Sequence, residues 1–202
     1  MNDAARFWDA RYGEPGFAYG EAPNDFVVEV EPSLPRGGRV LCLSEGEGRN
    51  AVFLASRGHT VHAVDLSAVG LEKARALAAR RGVTITTEVA DLARFAIAPG
   101  AWDAIVAIWM HLPQPLRARV HADAVRGLRA GGAFVIEAYR PEQLALGTGG
   151  PRELAMLVSP EDLRAELAGL ALDRFEAIER TIHEGPFHDG RSAVVRVLAR
   201  RA

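Results

Sequence analysis

Arg39-Val-Leu-Cys-Leu-Ser-Glu-Gly-Glu-Gly-Arg-Asn-Ala-Val-Phe-Leu-Ala55 reads as a buried strand, a glycine turn and the start of a helix. Val40, Leu41, Cys42 and Leu43 form the short apolar run of a strand covered on both faces, and Asn50 to Ala55 resumes at helix-compatible spacing. Gly46 and Gly48 fall at the switch. Glycine lets the chain turn sharply there and brings backbone amides close to a ligand, at a helix N-terminus with partial positive charge. Two readings stay open on this stretch alone: a cradle for a nucleotide-like ligand, and the tight turn that any α/β protein needs between strand and helix.

Around this stretch lie 202 residues, 49% apolar and 25% charged, enough for one well-buried core, so a single domain over 1–202 is expected. The formal charge of -2 and the lack of a long basic run argue against a nucleic-acid or membrane surface and favour small or neutral partners. One cysteine, Cys42, cannot close an internal disulfide, and its place inside the strand makes it core rather than nucleophile. No apolar run approaches a membrane span and the start, with Asp3, Arg6 and Asp9, does not read as a secretory signal, so a cytoplasmic location is expected.

Upstream, residues 3–11 suit a short helix carrying Phe7 and Trp8, after which Gly13, Pro15, Gly16 and Gly20 break the chain. This aromatic segment either staples the N-terminus to the core or forms a lid that brings Trp8, Tyr19 and Asn24 over a pocket. Residues 1–38 are thus an appendage to a core over 39–202.

Downstream, Thr60 to Asp65 makes a second apolar strand ending on an acid, and Ser67 caps a helix that Gly82 stops. Residues 83–89 form a third strand with Asp91 just past it, 102–110 a fourth ending at His111, 114–128 a helix, and 133–138 a fifth strand after a Gly131-Gly132 turn. Ser159-Pro160-Glu161-Asp162 starts another helix, to about Ala168. Two last strand-like runs, 172–184 and 192–200, joined across Gly185 to Gly190 with an Asp-Gly signal, imply an antiparallel pair. The fold class expected is α/β, a Rossmann-like doubly wound and mostly parallel seven-stranded sheet. Its crevice at the carboxyl ends of the strands collects Ser44 to Gly48, Asp65, Asp91 and His111. His59 and His62 have no partner at metal-ligand spacing, and no metal site is expected.

Gly46-x-Gly48-x-x-Ala51 followed by Asp65 also fits a nicotinamide-binding domain, so the ending has to separate the two. Five strands closed by an antiparallel pair, with Leu128-Arg-Ala-Gly-Gly-Ala-Phe134 leading into the fifth, resemble the class I S-adenosylmethionine-dependent methyltransferases. The resemblance covers about residues 36–140. It implies S-adenosyl-L-methionine as cofactor, held by the loop Ser44, Glu45, Gly46, Glu47, Gly48 and Asn50. It also implies a ribose contact at Asp65 beside Leu66, and adenine between Asp91 and Leu92. Glu47-Gly-Arg-Asn-Ala51, Trp8-Asp-Ala-Arg-Tyr12, Tyr19-Gly20, Pro23-Asn24, Phe26 and His188-Asp-Gly190 are similar to the small bacterial methyltransferases grouped with tellurite-resistance and thiopurine S-methyltransferase-like proteins.

There is a departure at Cys42, where many relatives carry an acid, and at Ser44, where they carry glycine. The methionine ammonium then needs another acceptor, for which Glu45, Glu47 and a backbone carbonyl are the candidates. The expected reaction is methyl transfer to a small-molecule acceptor such as a thiol or chalcogen oxyanion, with His111 and His188 as candidate catalytic groups and Arg191 as a substrate contact. The competing readings are a non-catalytic binder of the cofactor or its demethylated product, and a nicotinamide-dependent reductase. Oligomeric state has no signal in the sequence.

Overall fold

A computed structural model describes residues 3–202, and its sheet has the order β3-β2-β1-β4-β5-β7-β6. The central strands are β1 (Arg39–Leu43), β2 (Thr60–Asp65), β3 (Thr86–Val89), β4 (Trp102–Ile108) and β5 (Leu128–Tyr139), all parallel to their neighbours. β6 (Leu170–His183) and β7 (Asp189–Arg201) form the expected antiparallel pair, and β7 inserts between β5 and β6. The antiparallel β7 separates this sheet from the dinucleotide order 3-2-1-4-5-6, whose strands end in a parallel sixth.

The helices are α1 (Asp3–Gly13), α2 (Asp25–Val30), α3 (Arg49–Ser56), α4 (Ala68–Arg80), α5 (Gln114–Gly127), α6 (Gln143–Leu146) and α7 (Pro160–Glu166). Strand alternation divides the core between two layers. Val40 and Cys42 pack in one cluster with Phe26 of α2, Leu54 of α3 and Leu71 of α4. Leu41 and Leu43 pack in the other, with Val120 of α5 and Leu163 of α7. Each of these β1 side chains is at most 1% exposed, so each contributes roughly 1.5–3 kcal/mol of burial.

Several boundaries differ from the sequence pattern, some for a clear local reason. Val83 stays out of β3 because its amide turns back to Ala78 O at 3.0 Å and closes the end of α4. β4 stops at Ile108 because Trp109 takes a left-handed φ of +56°. The Gly131-Gly132 pair, read as a turn, lies inside β5 as a bulge, with Leu128 opposite Trp102 and Ala133 opposite Ala104. The helix after Ser159 starts as expected, with Ser159 Oγ accepting from the Asp162 amide at 3.0 Å, but ends at Glu166.

Candidate active site

The carboxyl ends of β1, β2 and β4 meet the glycine loop where the strand order reverses between β1 and β4. Asp65 is the fixed point. Its carboxylate accepts the Gly46 amide and the Ser67 amide, each at 2.8 Å, while the side chain is only 6% exposed. Burial raises its pKa above the usual carboxylate value, against the pull of the Ser67, Gly46 and Leu66 amides. Leu66 and Asp91 are half-buried beside it, and Ala90 donates to Asp65 O at 2.9 Å, joining the ends of β2 and β3. Asp91 accepts the Ala93 amide at 2.8 Å, and Leu92 packs inward, its carbonyl taken by Arg119.

The loop glycines serve packing as well as ligand approach. At Gly46, φ +62°, a Cβ would lie 2.6 Å from Tyr12 Oη, and at Gly48, φ +88°, it would lie 2.5 Å from Ala74 Cβ. Helix α1 therefore seats Tyr12 on the loop, while Trp8 stacks on Tyr12 at 5.5 Å. Asp9 accepts from Ser67 Oγ at 2.6 Å and ties α1 to the start of α4.

Both acids of the loop turn to protein partners. Glu47 accepts the Ala18 amide at 2.7 Å and pairs with Lys73 at 3.0 Å. Glu45 accepts the Ala51 amide at 2.7 Å, which supplies the side-chain cap that Gly48 cannot give α3. Burial raises Glu45 to about 7, with the Ala51 amide and Arg49 opposing. Among the backbone carbonyls of the loop, those of Glu45 and Gly48 already accept the Gly48 and Val52 amides, at 3.4 and 2.8 Å. Ser44, at φ +51°, shows why glycine suits that position, since a left-handed L-residue costs about 1–2 kcal/mol.

A second centre lies beside the first, at the ends of β4, β5 and the β6–β7 turn. Trp109 stacks on Tyr139 at 4.4 Å, His188 stands edge-on to both at 5.1 and 5.2 Å, and His111 stacks on Tyr139 at 5.5 Å. Tyr19 covers His188 at 4.5 Å. Under these rings Glu184 accepts from Arg49 at 2.6 Å, Trp109 Nε1 at 2.7 Å and Asn24 Nδ2 at 2.8 Å. Asn24 reaches on to Glu137 at 2.5 Å and caps α2 through the Phe26 and Val27 amides, while Asn50 accepts the Asn24 amide at 2.9 Å. Burial opposes the charge on Glu184, yet His188, Arg49 and Trp109 together hold it down at about 2.

The structure thus joins His111, His188, Tyr19 and Asn24 in one cluster, and Trp8 at the loop. It does not bring Arg191, which is exposed and paired with Glu179 at 2.6 Å. Trp109, Tyr139, Glu184 and Arg49 escaped the sequence reading. One signal for them existed: Glu137 and Tyr139 interrupt an otherwise apolar fifth strand. His59 pairs with Glu31 and His62 with Thr86 and Glu88, and among the described residues no three metal-ligating side chains gather.

Residues 40–132 match the family described as a methyltransferase domain. The matched stretch, a little under half of the chain, is similar to a methyltransferase domain. The match spans the glycine loop, Asp65, Asp91 and His111, and the sheet carries the seven-stranded Rossmann-like methyltransferase fold. Over 144 residues the chain is 26% identical to 2-heptyl-1-hydroxyquinolin-4(1H)-one methyltransferase of Mycobacteroides abscessus, spanning 70% of this chain and 63% of that relative's length. Among solved structures it is similar to a protein described for conversion of a disulfide bond into a thioacetal group during echinomycin biosynthesis, with TM-score 0.76, 20% identity, 98% of this chain and 91% of that one. TehB from Haemophilus influenzae superposes with TM-score 0.75 at 16% identity, over 98% of this chain and 67% of its own. An S-adenosylmethionine-dependent methyltransferase from Mesorhizobium loti gives 0.67 at 21% identity, over 86% and 96%.

The cofactor that these similarities imply is S-adenosyl-L-methionine, and the residues present fit it. An acid closes β2, half-buried Leu66 and Asp91 flank it, and a glycine turn feeds the N-terminus of α3. Ser44 and Trp109, the two non-glycine residues with positive φ among the described residues, follow the ends of β1 and β4 at the crevice, where such strain is characteristic of functional sites.

Proposed function

We propose that the protein transfers a methyl group from S-adenosylmethionine to a small-molecule acceptor whose nucleophile is a sulfur, an oxygen or another chalcogen. The observation that carries this is the second centre: buried imidazoles and a tyrosine hydroxyl with unpaired polar atoms, adjoining the expected cofactor crevice. When bound, the cofactor supplies an electrophilic methyl group. Asp65 would receive the ribose hydroxyls, Leu66, Asp91 and Leu92 would line the adenine, and the Ser44 to Gly48 loop with Asn50 would hold the methionine end. α1 and Tyr19 would exclude water.

The two histidines divide the work by their surroundings. His111 is held neutral, at about 3, by burial first, with the neighbouring His188 and Arg117 pushing the same way. Burial also lowers His188, but Glu184, 3.9 Å from its Nδ1, pulls the other way and would offset a proton gained there. His188 is therefore the proton acceptor and His111 a neutral hydrogen-bonding partner. The grouping with tellurite-resistance and thiopurine S-methyltransferase-like proteins supports a thiol or chalcogen-oxyanion acceptor. The hydroxyquinolone named for the M. abscessus relative supports an oxygen one.

Calorimetry should show binding of S-adenosylmethionine and S-adenosylhomocysteine and none of NAD(H). A panel of thiols, phenols, selenite and tellurite, read by S-adenosylhomocysteine formation, should then reveal turnover. Binding without turnover across the panel would favour the non-catalytic binder. His188→Ala should lower turnover mainly below the acceptor's own pKa, where a proton must be removed, and little above it.

A further inference from the structure

Tyr139 ends β5 with its side chain fully enclosed, 0% exposed, and its hydroxyl has no hydrogen-bond partner. His188 Nδ1 and His111 Nε2 are likewise enclosed without a hydrogen bond, Glu184 standing 3.9 Å from His188 Nδ1, and both rings neighbour that of Tyr139. A buried polar atom left unpaired costs about 1–3 kcal/mol, so three together mark a place that a ligand completes. The wall opposite is backbone. A Cβ on Gly149 would lie 2.7 Å from Tyr139 Oη and 3.0 Å from the His188 ring, and one on Gly150 2.6 Å from Tyr139 Cδ2. That loop is pinned by Gln143, which donates to Thr148 Oγ1 at 3.0 Å and Gly149 O at 3.1 Å, and by the Asp189 amide on Thr148 O at 3.1 Å.

Three of the guanidinium charges around the cluster are matched by carboxylates, and Arg11 is held without one. Arg49 is paired with Glu184, Arg117 with Glu166, and Arg140 with Glu142. Arg11 donates to Tyr19 Oη at 3.3 Å and lies 3.8 Å over the Phe187 ring. Glu137, bonded to Arg196, Arg180 and Asn24, adds a second carboxylate near Tyr139.

We propose that Tyr139 is the hydrogen-bond donor for the acceptor's reacting heteroatom, and that the pocket takes this heteroatom in its neutral form, as a thiol or hydroxyl on a small planar group. This rests on the methyl-transfer reading of the site. Tyr139 donates to a lone pair while the X–H bond points to an imidazole. The proton then goes to His188, and the electron pair stays on the heteroatom. An acceptor arriving as an anion would meet two neutral imidazoles, with Arg49, Arg117 and Arg140 already engaged by carboxylates. The flat faces of Trp109 and Tyr139 match a planar substituent. Burial pushes the Tyr139 hydroxyl up and keeps it a donor throughout the working range.

The test uses Tyr139→Phe, which removes the hydroxyl and little else, and 4-nitrophenol, whose phenol and phenolate absorb differently. With protein loaded with S-adenosylhomocysteine, the bound dye should remain phenol, its apparent pKa raised by about one unit or more. Tyr139→Phe should bind it roughly three- to tenfold more weakly, the scale of one lost hydrogen bond. S-adenosylhomocysteine affinity should be the same in both proteins. Dye bound as phenolate, equal affinity in wild type and variant, displacement of the dye by selenite, or no dye binding at all would overturn the proposal. Absence of S-adenosylhomocysteine binding by the wild type would instead remove the methyl-transfer reading beneath it.

Discussion

Asp65 does two things with the same two oxygens: it accepts the Gly46 and Ser67 amides and, in the proposed function, the ribose hydroxyls. Asp65→Ala should therefore weaken S-adenosylmethionine binding by about 1.5–3 kcal/mol in calorimetry and also lower the unfolding midpoint, since two amides lose their acceptor. Unchanged affinity in a folded variant would refute the ribose role. His111 makes a prediction about pH. Its folded pKa of about 3 lies below the 6.5 of an ordinary histidine, so between those values the unfolded chain binds more protons and acid destabilises the fold. That ring alone contributes a loss of up to about 1.4 kcal/mol per pH unit below its ordinary pKa. Glu45, raised to about 7 from 4.5, has the opposite sign, because its stabilising proton is lost as pH rises. The check is therefore the difference between wild type and His111→Gln in urea unfolding, which should favour the variant increasingly on acidification. Asp65, Asp91 and the two histidines were legible because they are polar residues at strand ends or turns. Trp109 and Tyr139 were not, since apolar strand patterning gives no sign of which ring meets which. Arg191 was misleading, because its neighbours in sequence face the cluster while it pairs outward with Glu179.

Helix α1 illustrates how an element can be legible while its duty is not. Its extent follows from Asp3 at the start and the glycine at its end, but its docking depends on shapes: Tyr12 against the two bare glycines, Gly46 and Gly70. A Cβ at Gly70 would meet Tyr12 Cδ2 at 2.8 Å. Asp9 and the Lys73 bonds to Glu14 O, at 2.9 Å, and Gly16 O, at 2.7 Å, add polar fastenings. The staple and lid readings thus separate by experiment. If α1 and the chain to Phe26 close over cofactor, S-adenosylhomocysteine should slow proteolytic cleavage of residues 7–26 several-fold. Equal cleavage rates with and without it would leave α1 a staple. The bulge in β5 was illegible for a related reason: a Gly-Gly pair signals a turn, and only pairing with β4 decides that the strand continues through it.

Across the whole molecule, a buried charged network joins parts far apart in sequence. Glu137 on β5, at 0% exposure, is held by Arg196 of β7 at 2.8 Å, Arg180 of β6 at 3.3 Å and Asn24 before α2. Arg196→Met should destabilise the fold by about 3 kcal/mol in denaturant unfolding, because it strips a buried carboxylate of its nearest cation while Arg180 and Asn24 remain. A loss below half of that would mean the network adjusts without Arg196. A mostly parallel sheet closed by an antiparallel pair was expected from alternating strands and helices, but this network was not, since members spread from Asn24 to Arg196 carry no periodic signal. The placement of β7 between β5 and β6 has a consequence for how the chain is made. On the ribosome, β1 to β5 emerge first and can pair among themselves, while β5 keeps an open edge until β7 arrives, more than fifty residues later. In the proposed function, the half that would hold the cofactor is thus born before the turn that carries His188. A chain interrupted before that turn would lack His188, the proton acceptor of the proposed function, along with the strand that closes the β5 edge.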